Sequence, residues 1–128
     1  MRLTLCGSTR FKSEFESWNH QLALSGHTVY SLSLFAREAN DTGKEGNPTI
    51  TEHEKIILDL VHLDKILNSD AIVVIDVNGY VGFSTRREIR WARLQGKTVY
   101  WITPHNHSQE RPKDRWAGIL LGNVNESA

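Results

Sequence analysis

The stretch "GYVGFSTRREIRWA", residues 79–92, carries the carboxylate whose setting invites chemistry most directly. Glu88 follows Thr85 by three residues, the spacing of a capping box in which a threonine caps a helix and the glutamate reaches back to the cap's own N–H. The same letters fit a nucleophilic carboxylate in the first turn of a helix whose start, with Ser84 and Thr85, receives an anion. A second stretch, "CGSTRF", stands between a strand and a helix. There Gly7 lets backbone approach a ligand, Ser8 and Thr9 offer hydroxyls, and Arg10 adds a planar charged fork. Its plainer reading is an N-cap supplied by Ser8 or Thr9. The stretch is too short for a P-loop and the chain has no GxGxxG, which argues against a bound nucleoside triphosphate or dinucleotide.

Other reactive side chains carry less. Cys6 ends a strand beside a helix start that could lower its pKa, but no histidine is an obvious partner in sequence, and a buried core cysteine is the favoured reading. His53, His62, His105 and His107 show neither HExxH nor a Cys/His spacing typical of zinc, so no metal and no cofactor are expected. Trp18, Trp91, Trp101 and Trp116 are scattered rather than interleaved with basic residues, which suits packing better than base stacking.

The elements that must position these groups follow from periodicity. "RLTLCG" reads as a short buried strand, and Phe11, Phe15, Trp18 and Leu22 recur at helical spacing up to Gly26. "HTVYSLS" alternates as a strand, and residues 36–49 form a polar Gly/Asn/Pro loop. Thr51 and Glu54 form a further capping-box signature, opening a helix with Ile56, Ile57, Leu60, Leu63 and Leu67 on one side. "AIVVIDV" is apolar throughout, as in a strand covered on both faces. Gly96 ends a third helix, "KTVYWIT" is a fourth strand, and the polar tail contains a short apolar piece, "WAGILLG". This order predicts an α/β fold: one doubly wound, Rossmann-like or flavodoxin-like domain over residues 1–128, with a mainly parallel sheet of four to five strands. Ligands of such sheets lie beyond the strands' C-terminal ends at the switch in strand order. The segments after strands one, three and four meet there.

Bulk properties narrow the classes. In 128 residues, 15 Lys plus Arg balance 15 Asp plus Glu, which argues against a nucleic-acid partner. No apolar run approaches the ~18 residues of a membrane span. One cysteine excludes an internal disulfide, the opening "MRLTLCGSTR" is too quickly polar for a signal peptide, and a cytoplasmic protein is expected.

"CGSTR", "SDAIVVIDV", the glycine loop and "STRREIRWARLQGKTVYW" together resemble the nucleoside 2-deoxyribosyltransferase family, over residues 3–102. Its superfamily includes the 2′-deoxynucleoside 5′-monophosphate N-glycosidases. The resemblance implies that Glu88 attacks C1′ of the sugar opposite the base, ionised by the helix dipole and facing an oxocarbenium-like transition state. It implies phosphate or 5′-hydroxyl contacts from Cys6, Gly7, Ser8 and Arg10, and from Asp76, Gly79, Gly82, Ser84 and Thr85 in the loop before the glutamate. Where the family places a carboxylate that helps protonate the leaving base, this chain has His62, eight residues before Asp70; Asp64 and Asp59 lie two and three residues away. His62 is then the expected general acid, with Asp64 joining the catalytic set. The family often has Asp or Ser six residues before the nucleophile, where this chain has Gly82. Arg10, Arg86 and Arg87 favour a phosphorylated substrate and hydrolysis over base exchange. The resemblance further implies a homodimer. The alternative is a non-catalytic nucleotide-sensing module on the same fold.

Overall fold

The computed structural model describes residues 1–35 and 50–103. The loop of residues 36–49, the His105/His107 pair, Trp116 and the "WAGILLG" piece lie outside the described residues. The element order is β1 (Arg2–Gly7), α1 (Lys12–Leu24), β2 (Thr28–Tyr30), α2 (Glu52–Leu67), β3 (Ala71–Ile75), a 3₁₀ turn (Val77–Gly79), α3 (Phe83–Leu94) and β4 (Thr98–Trp101). The four strands form one sheet, parallel throughout, in the order β2-β1-β3-β4. This is the expected α/β architecture.

Strand alternation divides the core in two. Leu3 and Leu5 of β1 with Ala71, Val73 and Ile75 of β3 face one side and pack against Phe15 and Leu22 of α1. Cys6 with Ile72 and Val74 faces the other side, against Ile66 of α2 and Ile89 and Ala92 of α3. That parity puts the Cys6 thiol on the face where the second and third helices lie. All five residues of β3 are buried, as its continuous apolar run requires. Gly26 and Gly96, at φ 92° and 70°, close α1 and α3 in the left-handed conformation that side chains resist.

Helix starts differ from expectation in two places. Helix α1 begins at Lys12 with Phe11 at the cap position and no side-chain cap, so neither Ser8 nor Thr9 caps it. Arg10 sits in a turn before the helix rather than in its first turn, closed by Phe11 N–H donating to the Ser8 carbonyl at 3.1 Å. Helix α3 begins at Phe83 with extended Gly82 as its cap, again without a capping side chain. By contrast α2 opens with the predicted box: Glu54 N–H donates to Thr51 Oγ1 at 3.1 Å, and Thr51 N–H to Glu54 Oε1 at 3.1 Å.

The face of α2 also differs. Ile56, Ile57, Leu60 and Leu67 are exposed, while His62 and Ile66 are buried. This helix has apolar residues around most of its circumference, so periodicity alone did not select the inward side.

Candidate active site

From the centre of the sheet the chain winds outward in both directions, from β1 to β2 and from β3 to β4. A crevice therefore opens beyond the adjoining ends of β1 and β3. A cleft of about 500 Å³ occupies that place, within the range of small-molecule sites. One wall is residues 7–10, and the opposite wall is Tyr80 with residues 82–85 and Glu88. Leu32, Ser33 and Leu34 and the inward side of α2, including Asp59 and His62, complete it. Lys65 anchors the segment after β2, donating to the Ser31 carbonyl at 2.8 Å and to Ser33 Oγ at 3.0 Å.

Gly7 has a steric reason to be glycine. A Cβ there would stand 2.9 Å from the Ile75 carbonyl oxygen and 3.1 Å from the Phe15 ring. The bare backbone lets β1 turn into the cleft wall at Ser8. Arg10 lines the cleft, its guanidinium 4.6 Å above the Tyr80 ring in a cation–π placement.

At the bottom, three reactive groups meet. Cys6 Sγ lies 3.6 Å from His62 Nε2, and His62 Nε2 lies 3.7 Å from Glu88 Oε1. The buried Oε1 has no hydrogen-bond partner. Burial, then the nearby Asp59 charge, raises the Glu88 pKa to about 8, with Arg87 opposing. Burial, then the Lys65 ammonium, lowers that of His62 to about 4. Burial, then Glu88, pushes the Cys6 thiol well up. At neutral pH all three are predominantly uncharged.

These facts correct the sequence reading. Glu88 is not in a first turn and makes no capping box, because the helix starts two residues before Thr85. The helix dipole does not keep it ionised, since desolvation outweighs it. His62 is too depressed to act as a resident acid at neutral pH, and it is the cysteine's partner, which no local spacing signalled. Asp64 is exposed and does not line the cleft, its carbonyl accepting from Asn68. Asp59, one helical turn before His62, is the α2 carboxylate that lines the cleft; it accepts from Lys55 Nζ at 2.9 Å and lies 3.4 Å from Arg87. Arg86 and Arg87 are exposed and do not line the cleft. Neither does Asp76, which is buried and accepts Thr103 N–H at 3.1 Å. Gly79 belongs to the 3₁₀ turn rather than the cleft.

The fold is that of a known enzyme. A solved structure of a 2-deoxyribosyltransferase from the psychrotolerant bacterium Bacillus psychrosaccharolyticus is similar to this chain with a TM-score of 0.56 and 17% identity, covering 81% of this chain and 73% of that one. No protein-family model and no curated protein matches the sequence. Of the predicted residues, Gly7, Ser8, Arg10, Gly82, Ser84, Thr85, Glu88 and His62 share the cleft, and Cys6 lies behind it. Among the described residues no helix is long and apolar enough to cross a membrane.

Proposed function

We propose that this chain is an N-glycosidase of the nucleoside 2-deoxyribosyltransferase superfamily, cleaving the base–sugar bond of a nucleoside 5′-monophosphate. The observation that carries this reading is a buried carboxyl, Glu88, lining one cleft with the Ser8/Arg10 loop, on a fold shared with a deoxyribosyltransferase. Glu88 as carboxylate attacks C1′ opposite the base; the C1′–N bond breaks, the base leaves with its electron pair and takes up a proton, and water then hydrolyses the glycosyl ester. Phosphate fits between Arg10 with Ser8 and the α3 start, whose first amides no side chain caps.

The proton on Glu88 must leave first. With its pKa near 4, His62 takes up little of that proton, so Glu88 gives it to solvent and ionises as pH rises toward 8. Asp59, the carboxylate that α2 turns inward, is paired with Lys55 and Arg87, so the leaving base takes its proton from water. On the same resemblance the enzyme works as a homodimer, and gel filtration giving a clean monomer removes that part.

The test is incubation with a panel of ribo- and deoxynucleoside monophosphates, with free base followed by chromatography. Base release from at least one is expected; none from any member, at high protein concentration, overturns the reading. Transfer to an added second base instead of water marks a transferase. The uncharged state of Glu88 favours one other reading, a nucleotide sensor. Calorimetry showing tight monophosphate binding without turnover identifies it.

A further inference from the structure

We propose that Cys6, His62 and Glu88 form a zinc site at the bottom of the cleft. Their ligand atoms, one from each residue, lie within 4.8 Å of one another. A sulfur bound at about 2.3 Å and a nitrogen at about 2.0–2.1 Å, at the tetrahedral angle, stand about 3.6 Å apart. Cys6 Sγ and His62 Nε2 are 3.6 Å apart. A nitrogen and an oxygen on the same ion stand about 3.4 Å apart, against 3.7 Å between His62 Nε2 and Glu88 Oε1. Rotation within the Glu88 side chain closes the difference, and its Oε1 has no hydrogen bond to give up.

The donor set points to zinc rather than magnesium or calcium, which take oxygen ligands. Three different elements supply it: β1, α2 and α3. Three protein ligands leave a fourth position, which faces the cleft through His62 and Glu88 and takes water. The exchange balances: Zn²⁺ displaces one proton from the thiol and one from the protonated carboxyl, while neutral imidazole brings its lone pair. The resulting Zn²⁺–thiolate–carboxylate group has no net charge, which suits a buried place where either anion alone is costly. One consequence rests on the glycosidase reading above: bound zinc occupies the carboxylate needed for attack, so zinc inhibits base release.

The experiment is a Co²⁺ titration of the full, tag-free, metal-stripped chain, followed by Zn²⁺ displacement and equilibrium dialysis. The expected result is one ion per chain, with visible tetrahedral Co²⁺ bands and a thiolate-to-cobalt charge-transfer band in the near ultraviolet. Cys6→Ala should abolish the charge-transfer band, and both it and His62→Gln should weaken Zn²⁺ binding beyond the 10- to 100-fold loss typical of outer-shell changes. Circular dichroism establishes that each variant is folded, and either folded variant suffices. Absence of the charge-transfer band in the native chain overturns the proposal, as does Zn²⁺ affinity unmoved by both substitutions. If the band appears but the native chain releases no base, the zinc site stands and the glycosidase reading alone fails. If base release persists at saturating zinc with the band present, the inhibitory role is overturned.

Discussion

The chain contains the signature T-x-x-E at two helix starts, Thr51 to Glu54 and Thr85 to Glu88, and folds them to opposite ends. At α2 the pair is solvent-exposed and closes both bonds of a capping box. The backbone N–H of Thr51, then its hydroxyl, lowers the Glu54 pKa. At α3 the helix has already begun at Phe83, so Thr85 lies inside the first turn, 2% exposed. Glu88 sits one turn deeper with its side chain 12% exposed, and its pKa is raised. One motif has two opposite titrations. The difference lies in where the chain enters the helix: Gly82 serves as cap with no side chain of its own, which frees the glutamate from a local duty. A carboxyl excused from capping, and buried beside a cleft, is one available for chemistry.

The sharpest way to break this contrast is Glu88→Gln beside Glu54→Gln. The first should lower base release by more than ~10³-fold while keeping monophosphate binding, since an amide cannot act as the nucleophile; the second should leave turnover unchanged. Steady-state kinetics on both variants decides it, and a Glu88→Gln chain turning over at the native rate ends the nucleophile assignment.

The pH profile comes next in size. The reactive form is the carboxylate, and the Glu88 pKa is about 8. Hence kcat/KM should fall about 50-fold between pH 8 and pH 6, approaching tenfold per unit well below pH 8. A profile flat over that range means Glu88 is ionised in the free protein.

Arg10→Ala should weaken monophosphate binding about 10- to 100-fold, as loss of a charge-assisted contact does, with unphosphorylated nucleosides nearly unaffected. Calorimetry with both ligand classes tests this, and equal weakening makes Arg10 structural.

Stability links to the same buried proton. Between the ordinary 4.5 and about 8, the folded state holds a proton on Glu88 that the unfolded chain has lost, so stability falls as pH rises through that window. His62 works oppositely between about 4 and its ordinary 6.5, where the unfolded chain binds the extra proton. At pH 6.5 the unfolded His62 is still half protonated, so its opposing effect fades only over the next pH unit. The native chain should therefore lose about 1 kcal/mol net between pH 6.5 and 8, a loss absent in Glu88→Gln, as urea unfolding at each pH would show. Smallest is Thr51→Ala, expected to cost about 1 kcal/mol by loss of a working cap, read by urea unfolding.

Much of the architecture was legible because local chemistry decides it. The β-branched run of β3, the glycines after α1 and α3, and the box at Thr51 each state their structure within a few residues. The site was legible only in part. The convergence of the loops after β1 and β3 followed from the parallel order alone. The helical phase did not: α2 carries apolar residues around it, and its inward side is chosen by the sheet, so Asp59 rather than Asp64 lines the cleft. Nor could sequence pair Cys6 with His62, 56 residues apart. Their meeting depends on strand parity in β1 together with the docking of α2.

That placement of β1 has a consequence in time. The first strand of the chain is an inner strand, paired to β2 about a helix later and to β3 along Leu3↔Ala71 through Gly7↔Ile75. During synthesis its apolar residues must wait for more than half the chain to emerge before their second neighbour exists. Pairings of such long sequence separation form late and leave strand edges open meanwhile. The trio of Cys6, His62 and Glu88 is assembled only after that closure, since it draws on elements both before and after β3. A thiol-reactive label added during refolding should therefore find Cys6 open until the sheet closes over it, making this one cysteine a clock for the last stage of folding.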